Sequence, residues 1–180
     1  MKQIEAQGEI KLFYFDGSGF STTSSIPYAW QKEGTTREIP CKRSHRLNVL
    51  GFMGRDNASY FHPVEGSVTS ATVIAAFDTF ATGYAVQYEE NQVPCVVILD
   101  NASIHHSKAV KQRMGDWMQQ GIFLHFLPAY SPELNLIEIL WRKIKYEWLP
   151  LSSYKNYASL KKSVLEILQN FGFKHKIIFA

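Results

Sequence analysis

The sequence predicts an α/β domain with a mixed sheet, its first three strands antiparallel and its later strands parallel, flanked by helices. Three observations predict it. Residues 10–64 carry short apolar or alternating runs joined by turn signals, which suit antiparallel pairing. From residue 70 onward, helical periodicity and short apolar runs take turns, as in strands joined by crossover helices. Within that second part, residues 96–99 (Val-Val-Ile-Leu) are continuously apolar, as a strand buried on both faces would be.

Each element has its own signal. Residues 10–15 are apolar and aromatic, and Asp16-Gly17-Ser18-Gly19 reads as the turn that ends the first strand. Residues 28–32 suggest a short second strand, 46–53 a third by alternation, and 58–64 a further one after the Arg55-Asp56-Asn57 turn. Val73, Ile74, Phe77, Phe80 and Ala81 recur at helical spacing, so 70–88 is expected to be a helix capped by Thr69 or Ser70. The strand at 96–99 ends at Asp100. Residues 107–120 form the next helix, with Ala109, Val110, Met114, Trp117 and Met118 inward, and Gly121 stops it. Residues 122–127 are a strand. Ser131-Pro132-Glu133 announces a further helix, with Ser131 as cap, Pro132 at its first position and an acid in its first turn. Leu134, Ile137, Trp141, Ile144 and Trp148 form its apolar stripe, and Pro150 ends it. Residues 155–171 make a last helix, closed by Gly172.

The chain of 180 residues, 46% hydrophobic and 19% charged, has the balance of a globular protein, and no repeat or flexible linker divides it. A single domain over 1–180 is expected. No apolar run nears membrane-spanning length and no signal segment opens the chain, so a soluble, intracellular protein without a membrane partner is expected. Cys41 and Cys95 are too few for a disulfide framework and lack zinc-ligand neighbours; Cys95 reads as a buried thiol. The net charge of +3 is gathered locally: Arg37, Lys42, Arg43, His45 and Arg46 in one cluster, Arg142, Lys143 and Lys145 in another. Such clusters suit phosphate backbones, though a solvated face is the plain alternative.

Three carboxylates stand where chemistry gathers. Asp16 and Asp100 close apolar strands, and functional groups collect at the carboxyl ends of parallel strands. Glu138 lies on the helix after Pro132, and a helix crossing that edge would bring it to the same point. Two hard divalent cations held by such a set activate and stabilise oxygens in phosphodiester displacement. Each residue has a plain alternative: Asp16-Gly17 as a turn, Asp100-Asn101 as a helix cap, Glu138 as a surface acid paired with Arg142. Arg142 and Lys145 share a helix face with Glu138 and are candidate phosphate partners, with Lys42, Arg43 and Arg46 as further candidates. Asn101 and His105, close after Asp100, are candidates to orient it.

These motifs resemble a known family. Leu99-Asp100-Asn101-Ala102 with His105 is similar to the second-aspartate motif of DDE-type bacterial insertion-sequence transposases of the mariner-like superfamily. Phe126-Leu127-Pro128-Ala129-Tyr130-Ser131-Pro132-Glu133-Leu134-Asn135-Leu136-Ile137-Glu138, followed by Trp141 and Lys145, resembles their third-carboxylate motif and is the most specific stretch. Phe15-Asp16 with Gly19-Phe20, Trp30 and Gly34 resembles the first-aspartate region. The resemblance implies a ribonuclease H-like fold and an Asp16–Asp100–Glu138 triad holding two Mg²⁺ or Mn²⁺ ions per active site. It also implies hydrolysis at transposon ends followed by strand transfer into target DNA, by a homodimer assembled on DNA in the bacterial cytoplasm at the nucleoid. The spacing of 37 residues between Asp100 and Glu138 is close to the family's.

The sequence departs from the family at three places. Gly17 stands where an acid is usual, which is expected to weaken the field at Asp16. Leu136 stands where proline is usual, which is expected to give the helix a more regular start. With fifteen residues before Asp16, the N-terminal helix-turn-helix region that recognises transposon ends is expected to be absent. Two alternatives therefore stay open: a catalytically inactive DNA-binding remnant, and a ribonuclease H-type nuclease acting on RNA–DNA hybrids.

Overall fold

A computed structural model describes residues 1–23, 46–129 and 131–179. The expected strand at 28–32 lies outside the described residues, as do Arg37, Cys41, Lys42, Arg43 and His45. Among those described, strands β1 (Lys11–Ser21), β2 (Arg46–Gly54), β3 (Ser59–Glu65), β4 (Cys95–Leu99) and β5 (Ile122–Phe126) form one sheet in the order β3-β2-β1-β4-β5. β1, β2 and β3 pair antiparallel; β4 lies parallel to β1, and β5 parallel to β4. This is the mixed sheet that the sequence predicts. None of the described helices is long and apolar enough to cross a membrane.

Helices cover both faces. Short α1 (Lys2–Ala6) precedes the sheet and has no periodicity from which to expect it. α2 (Ser70–Asn91) begins at a reciprocal cap in which Thr72 N donates to Thr69 Oγ1 and Thr69 N donates to Thr72 Oγ1. α3 (Lys108–Gln119) is capped by Ser107 and stopped by Gly121 at φ +80°. Both lie on the face that holds Phe13, Phe15, Phe52, Val97 and Leu99. Asp78 joins them, accepting from Trp117 Nε1 at 2.7 Å and Arg113 at 2.8 Å. In α3, Val110 and Trp117 are buried and Met114 packs partly buried against the same core; Ala109 and Met118, expected inward, are exposed.

The opposite face carries Leu12, Tyr14, Val49 and Ile98 under α4 (Ile137–Lys143) and α5 (Tyr157–Gln169). α5 starts at an Asn156 cap, and Gly172 follows it at φ +86°.

Two expectations are corrected. β1 does not end at Asp16 but runs on to Ser21, because the two glycines serve close packing rather than a turn. A Cβ on Gly17 would sit 2.9 Å from Leu50 Cδ2, and one on Gly19 would run into the Arg46 guanidinium. The helix expected from Pro132 is also broken: Pro132–Leu134 forms a 3₁₀ turn, Asn135 is extended, and α4 starts at Ile137. Ser131 makes no side-chain cap, Leu136 does not regularise the start, and Leu134 is exposed rather than part of the stripe.

α4 crosses the sheet tightly over Gly51, the residue paired with Asp16. A Cβ there would lie 2.8 Å from Trp141 Cη2 and 3.1 Å from Ile137 Cδ1. Gly51→Ala should therefore force α4 outward and cost about 1–3 kcal/mol. Urea denaturation checks this; an unchanged midpoint would mean that α4 has room to spare.

Candidate active site

Strand pairing sets two of the carboxylates side by side. The last parallel pair of β1 and β4 is Phe15 with Leu99, so Asp16 and Asp100 are the next residue on each strand. β4 stops there while β1 continues against β2, so Asp16 lies mid-strand yet level with the tip of β4. Side chains alternate along a strand. Leu12 and Tyr14 belong to the core under α4, and Asp16 follows them onto that face. A side chain at residue 17 would point to the other face, towards Leu50. An acid there would point away from the face that carries the carboxylates.

Glu138, in the first turn of α4, comes down on Asp16. Burial and then the Glu138 charge push the Asp16 pKa up to about 7, with Asp100 adding to the rise at longer reach and the Gly17 N–H opposing it. Glu138 is also within hydrogen-bonding reach of Asp16.

Asp100 is half-exposed and held from two sides. Its Oδ1 accepts from Ala102 N at 3.2 Å and lies 3.2 Å from His105 Nε2. His105 is buried, its ring edge-on to Phe15, and desolvation lowers its pKa against the raising effect of Asp100. A neutral imidazole donating from Nε2 satisfies that geometry. The Asn101 side chain is turned to another partner: its Oδ1 is bonded to His106 Nε2.

The basic candidates divide. Lys145 lies half-buried among Glu138, Asp16 and Arg46, its ammonium 5.6 Å from the centre of the Phe20 ring. Burial lowers its pKa, while the two carboxylates raise it. Arg142 and Lys145 line an open cleft of about 590 Å³ with Glu138. No described carboxylate pairs with Arg142, so the surface pair between it and Glu138 does not form. Arg46 lies across Gly19 and faces a neighbouring groove with Asn48 and Ser67. Lys42 and Arg43 lie outside the described residues.

Reading carboxylates and bases misses Asn135. The residue is 3% exposed, and its Nδ2 donates to the Phe15 carbonyl at 3.0 Å. The approach to α4 is thereby tied to the residue before Asp16. The signal was present in the sequence as the polar residue inside an apolar stretch, three before Glu138.

Three oxygen-donor side chains, one raised in pKa by burial and then by its two like neighbours, form a donor set that fits hard divalent cations. Among the described residues they do not yet form a ready metal-holding group: Asp16 rests against Glu138 while Asp100 is engaged by His105.

The raised Asp16 pKa fixes a sign. Between its ordinary value of 3.8 and about 7, the folded state keeps a proton that the unfolded state releases. The associated stability is present in full below the lower value and lost as pH rises through the upper one. In metal-free buffer, Asp16→Asn should raise the melting temperature at pH 8 by roughly 4 °C or more and leave it nearly unchanged at pH 4. Equal effects at both pH values would contradict this account of the site.

Comparison with known proteins follows the same lines. The family described as DDE superfamily endonuclease matches residues 11–161. Uncharacterized protein y4pE/y4sA of Sinorhizobium fredii is 35% identical over 65 residues, 36% of this chain and 44% of that protein. Among solved structures, the Mos1 transposase paired-end complex with left transposon end superposes with a TM-score of 0.66 at 14% identity, over 93% of this chain and 51% of that one. The Mos1 mariner paired-end complex with Mn gives 0.64, also at 14% identity, over 93% and 51%. The catalytic domain of Mos1 mariner transposase gives 0.57 at 14% identity, over 93% and 74%. The likeness establishes a ribonuclease H-like fold. The chain spans about half the length of the paired-end transposase chains and less than half of the Sinorhizobium protein.

Proposed function

We propose, from the premise that this chain belongs to the DDE superfamily endonucleases, that it is a transposase catalytic domain cutting and joining DNA with Asp16, Asp100 and Glu138. The observation that carries this reading is the meeting of Glu138 with Asp16 at the tip of β4, where Asp100 is the next residue. Mg²⁺ or Mn²⁺, two ions per site, would supply Lewis-acid activation of the attacking and leaving oxygens. The Mos1 complex solved with Mn supports the choice of metal.

The chain's own residues would do the rest. Asp16 and Asp100 would hold the metals from two adjacent strands, and Glu138 would complete the set from α4. His105 fixes the orientation of Asp100 by donating to its Oδ1. Asn135 sets the height of Glu138 above the sheet. Lys145 lies against the carboxylates and would contact a phosphate brought up to them, while Arg142 would hold the backbone further along the cleft. Hydrolysis at a transposon end and attack of the freed 3′ hydroxyl on target DNA are the reactions proposed. A homodimer assembled on the two ends, acting at the bacterial nucleoid, is the proposed setting.

Nicking of supercoiled plasmid in Mn²⁺ tests the reading. Glu138→Gln should lower the rate at least about a hundredfold without lowering the melting temperature. Wild-type nicking that persists in chelator, or in the glutamine variant, would contradict it. A folded protein that binds DNA and never nicks it would be an inactive remnant. Faster cleavage of RNA–DNA hybrid than of duplex DNA would favour a ribonuclease H-type nuclease.

A further inference from the structure

α4 does not stop cleanly. At Ile144–Trp148 the winding widens to a π-type turn, closed by Leu149 N donating to the Ile144 carbonyl at 3.0 Å. Such turns are rare and recur at functional sites. Ile144 within it is buried, and Trp148 packs on Phe171 and His175. Tyr146 does the opposite: it is 52% exposed, and no described ring packs against it. It lines the same cleft of about 590 Å³ as Glu138, Arg142 and Lys145.

That cleft has the size of a small-ligand site and joins an open aromatic face to a guanidinium and an ammonium. Phosphates suit the two cations. The ring suits something flat, and a base inside a duplex offers its π-face when it leaves the stack. We propose that this cleft receives an unpaired nucleotide next to the scissile phosphate, with its base stacked on Tyr146 and its phosphate held by Arg142. The inference rests on the nuclease reading above and names the form of DNA that this site prefers. Placed one helical turn beyond Arg142, Tyr146 would grip the strand on the far side of the cation from Glu138. A duplex with every base paired leaves that ring bare.

Fluorescence anisotropy on the full chain tests this, using two nicked duplexes that differ in one unpaired nucleotide beside the nick. Nicking of supercoiled plasmid in Mn²⁺ is measured in parallel. Wild type should bind the unpaired form about tenfold more tightly. Tyr146→Ala should abolish that preference and Tyr146→Phe should keep it, because stacking does not need the hydroxyl. A wild type without preference, or an alanine variant that keeps it, overturns the inference. An alanine variant that changes the sedimentation of the protein and not its DNA preference assigns Tyr146 to a protein contact, and overturns it too. If wild type nicks plasmid but Tyr146 has no effect on DNA preference, only this inference fails. If wild type neither binds nor nicks any DNA, the functional reading fails with it.

Discussion

Helix α4 packs tightly over the Asp16–Gly51 pair of the sheet, and the candidate site depends on how closely it does so. Gly51, opposite Asp16, has no side chain, and Trp141 and Ile137 fill the space a Cβ would take. Asn135 fastens the preceding segment to the Phe15 carbonyl. These contacts bracket Glu138 between a hydrogen bond three residues before it and an indole three residues after it. A helix held further from the sheet would leave Asp16 hydrated, with an ordinary pKa and no carboxylate against it. The hydrogen bond to the Phe15 carbonyl also answers a backbone need, since a buried acceptor left unpaired costs on the order of 1–3 kcal/mol.

The same closeness explains why the site is electrostatically uneasy. Asp16 is desolvated and set between two like charges, with Lys145 as the nearby cation, itself partly desolvated. His105 steadies Asp100 from beneath, packed on Phe15. A fold that gathers carboxylates at a strand tip gives up stability there, as functional sites commonly do. Bound cations would return it.

Much of the architecture was legible because the periodicities are strong. The alternation at 46–53, the apolar run at 96–99 and the helical stripe from Val73 to Ala81 each became the expected element. The misreadings share one cause: local signals were overruled by tertiary packing. Asp16-Gly17-Ser18-Gly19 has turn composition, yet Leu50 and the Arg46 side chain lie where Cβ atoms would be, so the glycines continue a strand. Ser131-Pro132-Glu133 has cap composition, yet Asn135 must extend to reach β1, so the helix starts only at Ile137. Met118 and Leu134 have helical spacing, but no layer covers them, and they stay exposed. At the candidate site, the order of the three carboxylates along the chain singled them out, although Asp16 lies mid-strand rather than at a strand end; Asn135 was marked only as a polar residue in an apolar stretch, because its partner lies 120 residues away in the chain.

The central claim is that Asp16, Asp100 and Glu138 together hold divalent metal. An anomalous-scattering map from a crystal soaked in millimolar Mn²⁺, with and without a short DNA duplex, tests it most directly. The account predicts a peak bounded by Asp16 and Asp100, with Glu138 turned towards it. No peak among these carboxylates in either crystal would contradict it.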